Sequence, residues 1–227
     1  MIPAPDIDLV SLAPVLTLSA FGFVVLIWDL FIGKDKTQII YISLIGLFLT
    51  SILAFSKTNL PAYSFTDSYI VDNLSIFCVI IFAISSGLAI LLSVNYNSEK
   101  EINIGEYYCL ILFCTVGMII LSSAVDLILI FLGVEIVSIS LYVLAGIRRD
   151  DLKSNEAALK YFLLGAFASG FLLYGMALIY GLTGTTNLKG ILTAINQMNG
   201  QNNSLSSNKY SFGPYFKLKY KFKIYEI

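Results

Sequence analysis

The sequence predicts an all-α membrane protein of about six transmembrane helices, and three observations carry that prediction. Of the 227 residues, 57% are hydrophobic and only 13% are charged. The mean hydropathy is +0.82, and the apolar residues gather into uninterrupted runs of about 20, the length a bilayer requires and a soluble domain cannot bury several times over. The formal net charge of -1 supplies no basic field, so no nucleic-acid partner is expected. The lipid bilayer is the expected surroundings.

The spans fall at residues 9–32, 38–55, 73–94, 107–123, 126–147 and 158–182. The first follows MIPAPDIDLV, where Asp6 and Asp8 stand in place of the basic start of a secretory signal, so it reads as an uncleaved span. The fourth and fifth are separated by a few residues around 123–125, which predicts a tight antiparallel hairpin. Lys34, Lys36, Lys100, Arg148, Arg149 and Lys153 then share one face, against Lys57 on the other. By the positive-inside rule the N-terminus lies outside and the Arg148–Lys153 loop faces the cytoplasm or matrix.

Within this apolar background Glu135 stands out. The run DLILIFLGVEIVSISLYVLAGI carries no other Asp, Glu, Lys or Arg after Asp126. At 1.5 Å of rise per residue, Glu135 lies roughly 14 Å from Asp126 and roughly 19 Å from Arg148, too deep to reach water. A carboxylate at such depth costs roughly 2.5–3.5 kcal/mol on insertion scales. Burial disfavours its charged form and a nearby cation favours it, so its protonation can follow local charge. Proton handling is the leading reading; a hydrogen-bonded Glu that only holds helices together is the plain one.

Lys160 sits a few residues into the sixth span. Its stem could carry the ammonium out to the interface, or it could face the bundle and couple to Glu135 across an axial offset on the order of 10 Å. Gly165, Ala166, Ala168, Ser169, Gly170 and Gly175 suggest that the sixth helix packs in protein, or reflect the usual small-residue content of membrane helices. Tyr142, Tyr161, Tyr174 and Tyr180 are interfacial anchors or relay hydroxyls. RRDDLKSNEA reads as a solvated turn that starts a helix. Histidine is absent, and Cys78, Cys109 and Cys114 lie in apolar segments without CxxC pairing. They read as small buried side chains, and no metal site is expected.

The stretch LSSAVDLILIFLGVEIVSISLYVLAGIRRDD, followed by LKSNEAALKYFLLGAFASGFLLYGMALIYGLTGTTNL, resembles subunit N of proton-pumping NADH:quinone oxidoreductase (respiratory complex I), the counterpart of mitochondrial subunit 2. The resemblance is specific over about 110–188 and generic over 1–109. It implies an antiporter-like fold and a membrane-arm subunit without redox activity of its own. In such a subunit quinone reduction elsewhere drives protons through buried charges and water. Glu135 matches the family's membrane glutamate and Lys160 the lysine of its EAALKY segment, so the resemblance implies both as proton-translocation residues. It also implies that this chain binds no cofactor, that the parent complex uses NADH and quinone, and that the partners are other complex I membrane subunits. The location implied is the bacterial inner membrane, or alternatively the mitochondrial inner membrane.

The family continues through further helices bearing broken-helix prolines and central lysines, which have no counterpart here. Residues 1–188 therefore read as the N-terminal part of an antiporter-like bundle. Residues 189–227 read as a polar, basic tail, irregular or disordered, or not family sequence. That tail carries Lys189, Lys209, Lys217, Lys219, Lys221 and Lys223, and its Asn- and Ser-rich start, 197–208, reads as a linker. Two other functions stay open: a subunit of a sodium/proton antiporter complex, and a non-conducting structural fragment of a disrupted or split subunit.

Overall fold

A computed structural model describes residues 8–33, 36–56, 62–65, 67–99 and 104–204. Seven helices appear in it: α1 (Ala13–Phe31), α2 (Thr37–Phe55), α3 (Asn73–Glu99), α4 (Gly105–Ser123), α5 (Leu127–Ala145), α6 (Leu152–Thr183) and α7 (Leu188–Ser204). The first six are long and apolar enough to cross a membrane, as the sequence predicts. Asp126 caps α5 by accepting from the Ile128 N–H at 2.9 Å, and Asp151 caps α6 by accepting from the Lys153 N–H at 3.0 Å. α6 therefore starts six residues ahead of the expected span, and it stops at Gly184, whose φ of 73° suits glycine.

Each of the first six helices packs on the next, and α4 also touches α1 and α2, which makes it the centre of the bundle. Its Leu112, Val116 and Ile119 are buried with Leu18 and Val25 of α1, Ile39 and Leu47 of α2 and Ile90 of α3. In lipid the exterior is as apolar as the core, so close packing and hydrogen bonds hold helices together. Ser86 of α3 and Thr115 of α4 share a hydrogen bond of 2.6 Å, while Ser43, Thr50 and Ser140 return theirs to the preceding turn. α4 and α5 cross at Gly117 and Gly133. A Cβ at Gly117 would lie 3.0 Å from the Gly133 carbonyl oxygen and 2.8 Å from Val137 Cγ2, and one at Gly133 would lie 2.7 Å from Leu121 Cγ.

The structure differs from the sequence expectation in two places. A hairpin of β1 (Ala62–Ser64) and β2 (Tyr69–Val71) pairs antiparallel between α2 and α3, with Tyr63 opposite Ile70. Three-residue strands turning through Phe65 (φ 53°) and Asp67 (φ 65°) leave no Asn-Gly or Asp-Gly signal to read. The second difference is α7, where an irregular tail was expected from 189. Over 188–204 the chain is helical because the Asn187 side chain accepts from the Lys189 N–H at 3.0 Å, and Leu188, Ile191, Leu192 and Ile195 recur at helical spacing. The expectations for Asp6, Lys34, Lys57, Lys100 and 205–227 lie outside the described residues.

Lys36, Arg148, Arg149 and Lys153 fall at one end of the bundle, and the β hairpin with the α4–α5 and α6–α7 turns at the other. By the positive-inside rule the basic end is the one expected to face the cytoplasm or matrix.

Crowding at the α4–α5 crossing predicts the cost of a single methyl. Gly117→Ala should lose about 1–3 kcal/mol, the usual range for overpacking, whereas Gly170→Ala, with open space around it, should stay within about 0.5 kcal/mol of the parent. Thermal unfolding of both variants in mild detergent checks this, and equal stability of the two would contradict the crossing.

Candidate functional site

Glu135 owes its position to three constraints along α5. The first is the outer end, where Asp126 also accepts from the Thr186 hydroxyl at 2.7 Å, Leu127 donates its N–H to the Thr186 carbonyl at 2.9 Å, and Leu188 donates to Val125 O at 2.9 Å. The β hairpin joins this clamp through Val125 N–H to Ser68 O at 2.9 Å and Asn187 Nδ2 to Asp67 O at 3.1 Å. The α4–α5 and α6–α7 turns are thus hydrogen-bonded to each other and to the hairpin. Tyr69 fills the space beneath; burial pushes its phenol above the ordinary value, and a hydrogen bond with Ser123 opposes the shift.

The second constraint is the glycine crossing, which fixes Gly133 and Val137 against α4. At 3.6 residues per turn Glu135 stands about 200° around the helix from Gly133, so it points away from α4. The third is Tyr142. Seven residues on, it shares the flank of Glu135, and its ring meets Tyr161 at 4.9 Å and Phe162 at 5.7 Å, both edge-on. Its hydroxyl enters the notch at Gly165, where a Cβ would lie 1.8 Å away. The Glu135 flank is therefore the one that α6 covers.

Glu135 Oε1 is shut off from solvent and has no hydrogen-bond partner among the described residues. An unpaired buried acceptor costs about 1–3 kcal/mol, and more for a charged group. Beside it on α5 lies an open flank, with Ile128, Leu132, Ile139 and Val143 each about half exposed. A group approaching from that side would meet the carboxyl.

Lys160 is placed differently. Its ammonium pairs with Glu156 one turn earlier, and both side chains are exposed, 74% and 63%. The structure does not bring it to Glu135: Tyr161 beside it contacts Tyr142, one to two turns from Glu135, an axial offset of roughly 10 Å. Of the other tyrosines, Tyr174 and Tyr180 are exposed on α6. No residue of α6 is buried, and a Cβ at Gly170 or Gly175 would meet nothing within 4 Å. Among the described residues no three His, Cys, Asp or Glu side chains gather as a metal site would require. Cys109 is buried, and Cys78 and Cys114 are half-buried free thiols.

Sequence reasoning passed over two polar contacts. Thr186 binds Asp126 across 60 residues, which no local pattern announces. Asp29, in the last turn of α1, pairs with Lys36 at 13% and 12% exposure; an acidic residue at a helix C-terminus opposes the macrodipole, and that was the available signal.

The architecture is a bundle with six helices long and apolar enough to cross a membrane. Residues 124–216 match the family model described as NADH:quinone oxidoreductase/Mrp antiporter, TM. NADH-quinone oxidoreductase subunit N of Trichlorobacter lovleyi is 48% identical over 200 residues, covering 88% of this chain and 41% of that protein. Subunit N 2 of Koribacter versatilis is 38% identical over 203 residues, covering 86% of this chain and 41% of that one. A chain of respiratory complex I from Thermus thermophilus with bound Aureothin is 30% identical with a TM-score of 0.66, covering 77% of this chain and 38% of that one. The archaeal membrane-bound sulfane sulfur reductase superposes with a TM-score of 0.71 at 23% identity, over 86% of this chain and 42% of that one, which speaks for the fold alone. Over most of its length the chain is thus similar to NADH-quinone oxidoreductase subunit N, and it spans about two fifths of the curated relatives it matches.

The clamp at Asp126 yields a direct expectation. Asp126→Ala removes the helix cap and the Thr186 bond together and should cost about 1–2 kcal/mol, whereas Thr186→Val, which spares the cap, should cost about half as much. Amide exchange at 127–130 reads the fraying. Unchanged protection there in Asp126→Ala would contradict the clamp.

Proposed function

We propose that this chain is a membrane-arm subunit of a multisubunit NADH:quinone oxidoreductase and takes part in proton translocation coupled to quinone reduction. The observation that carries this reading is Glu135, a carboxyl near the middle of a spanning helix with one oxygen buried and unpaired. A group so placed gains or loses a proton according to the charge and water that reach it, which is what a gated proton site requires. Names of the relatives, which point to subunit N, favour the oxidoreductase over a sodium/proton antiporter complex.

In this proposal Glu135 is the proton-bearing group and Lys160 modulates it. While Lys160 is held by Glu156 its charge stays at the cytoplasmic end of α6. Release from Glu156 would let the long stem lean along the helix toward Tyr142 and favour the ionised form of the carboxyl through a water bridge. The open flank of Ile128, Leu132, Ile139 and Val143 is where a neighbouring helix would supply the partner that Glu135 lacks here. NADH oxidation and quinone reduction are assigned to other subunits of the complex. The membrane is the bacterial inner membrane, in keeping with bacterial relatives, or the mitochondrial inner membrane, and the chain alone turns over nothing.

Mutagenesis in the assembled complex tests the reading. Glu135→Gln, measured in sealed vesicles, should lower protons moved per NADH oxidised by about tenfold, and Glu135→Asp should recover part of it. NADH oxidation with an artificial acceptor should be unaffected. Lys160→Met, whose ammonium starts exposed, should give the smaller loss. Full pumping in Glu135→Gln would remove this carboxyl from the path.

A further inference from the structure

At the basic end a groove opens between α1, α4 and the end of α5, where it reaches Val143 at the limit of the open flank beside Glu135. Its volume is about 270 Å³. The floor is apolar, formed by Leu26, Cys109, Leu110, Phe113 and Val143, and the rim carries two opposite charges, Glu106 and Arg149. Neither charge has an ion-pair partner among the described residues. The ion pairs among the described residues are Lys36 with Asp29, Arg148 with Asp151 and Lys160 with Glu156, which leave Glu106 and Arg149 available at the mouth.

Depth and chemistry agree on the occupant. The lining on α4 runs from Ile104 to Phe113, about 13 Å along the axis, so the groove spans the headgroup level and the upper part of one leaflet. Its open side continues into Phe23, Ile27 and Val143, all about half exposed, an apolar track for a chain that runs on into the bilayer. A guanidinium presents a planar fork of donors that fits phosphate oxygens, and a carboxylate accepts from a primary ammonium. A soluble anion would be repelled by Glu106 and would leave the floor unfilled. An anionic lipid would satisfy Arg149 but bring its own negative charge to Glu106.

We propose that this groove is a binding site for one zwitterionic phospholipid of the phosphatidylethanolamine type, its phosphate on Arg149, its ammonium on Glu106 and one acyl chain along Leu110 and Phe113. The lipid would fill the space between α1 and α5 that α4 leaves at this end, and so brace the cytoplasmic end of the helix that bears Glu135.

Native mass spectrometry of the full chain, released from nanodiscs of equal phosphatidylethanolamine and phosphatidylglycerol, tests the proposal. The wild type should retain one phosphatidylethanolamine in preference to phosphatidylglycerol. Arg149→Gln and Glu106→Gln should each lower that retention about fivefold, the size of one charge-assisted contact. Both residues lie on the exposed rim, so the fold should persist, which circular dichroism verifies. Leu110→Trp should displace the lipid by filling the floor. Equal retention in all variants would overturn the site, as would equal retention of the two lipids by the wild type. A photo-crosslinker at position 110 of the assembled complex should capture lipid, and capture of a protein instead would overturn the proposal as well.

Discussion

Where α4 and α5 cross, each helix presents a glycine to the other. Gly117 and Gly133 bring the two backbones so close that a Cβ at the first would lie 3.0 Å from the carbonyl oxygen of the second. Hydrocarbon gives no hydrophobic reward for helix association, so contact of this kind is what holds neighbouring spans together. It also fixes rotation. With Gly133 and Val137 turned to α4, the geometry of the helix puts Glu135 and Tyr142 on the opposite flank, under α6. The bearing of the carboxyl follows from two missing methyl groups on another face.

The same bundle sorts its polar groups by depth. Serines and threonines in the seams return their hydrogen bonds to the preceding turn or to one another, as Ser86 and Thr115 do. At the outer end Asp126 is buried yet satisfied twice, by the Ile128 N–H and the Thr186 hydroxyl. At the basic end the charges pair locally, Lys36 with Asp29 and Lys160 with Glu156. Asn97, near the basic end of α3, and Glu135 depart from this rule, and Glu135 does so at mid-depth, with a buried oxygen that has no hydrogen-bond partner among the described residues. Since an unsatisfied polar group in lipid is costly, its retention points to a partner outside the described residues or to a proton that comes and goes. The exposed flank beside it, and a chain that spans about two fifths of its relatives, leave room for such a partner.

The six spans and their hairpin order were legible because hydrocarbon thickness imposes a length and an apolar character that any window of sequence displays. Glu135 was legible for the same reason in reverse, as a charge where the run allows none. What the sequence hid was long-range or locally undistinguished. Thr186 meets Asp126 only after α5 and α6 have crossed the bilayer and returned, and three-residue strands closed by Phe65 and Asp67 lack the glycine that advertises a hairpin. α7 could have been read from Leu188, Ile191, Leu192 and Ile195, but the polar residues after Ile195 masked the stripe. Lys160 was visible as a residue and not as a contact, because a snorkelling lysine and an inward one share the same spacing.

The account rests on the carboxyl at 135 being enclosed by protein at mid-depth. A spin label at position 135, in a chain whose Cys78, Cys109 and Cys114 are replaced by serine and which is assembled with the proposed complex, reports this directly through collisions with oxygen dissolved in lipid and with a water-soluble nickel chelate. Low collision rates with both are expected. A high rate with oxygen would place the side chain among acyl tails, a high rate with the chelate would place it in bulk water, and either would contradict the enclosure on which the proton-handling role depends.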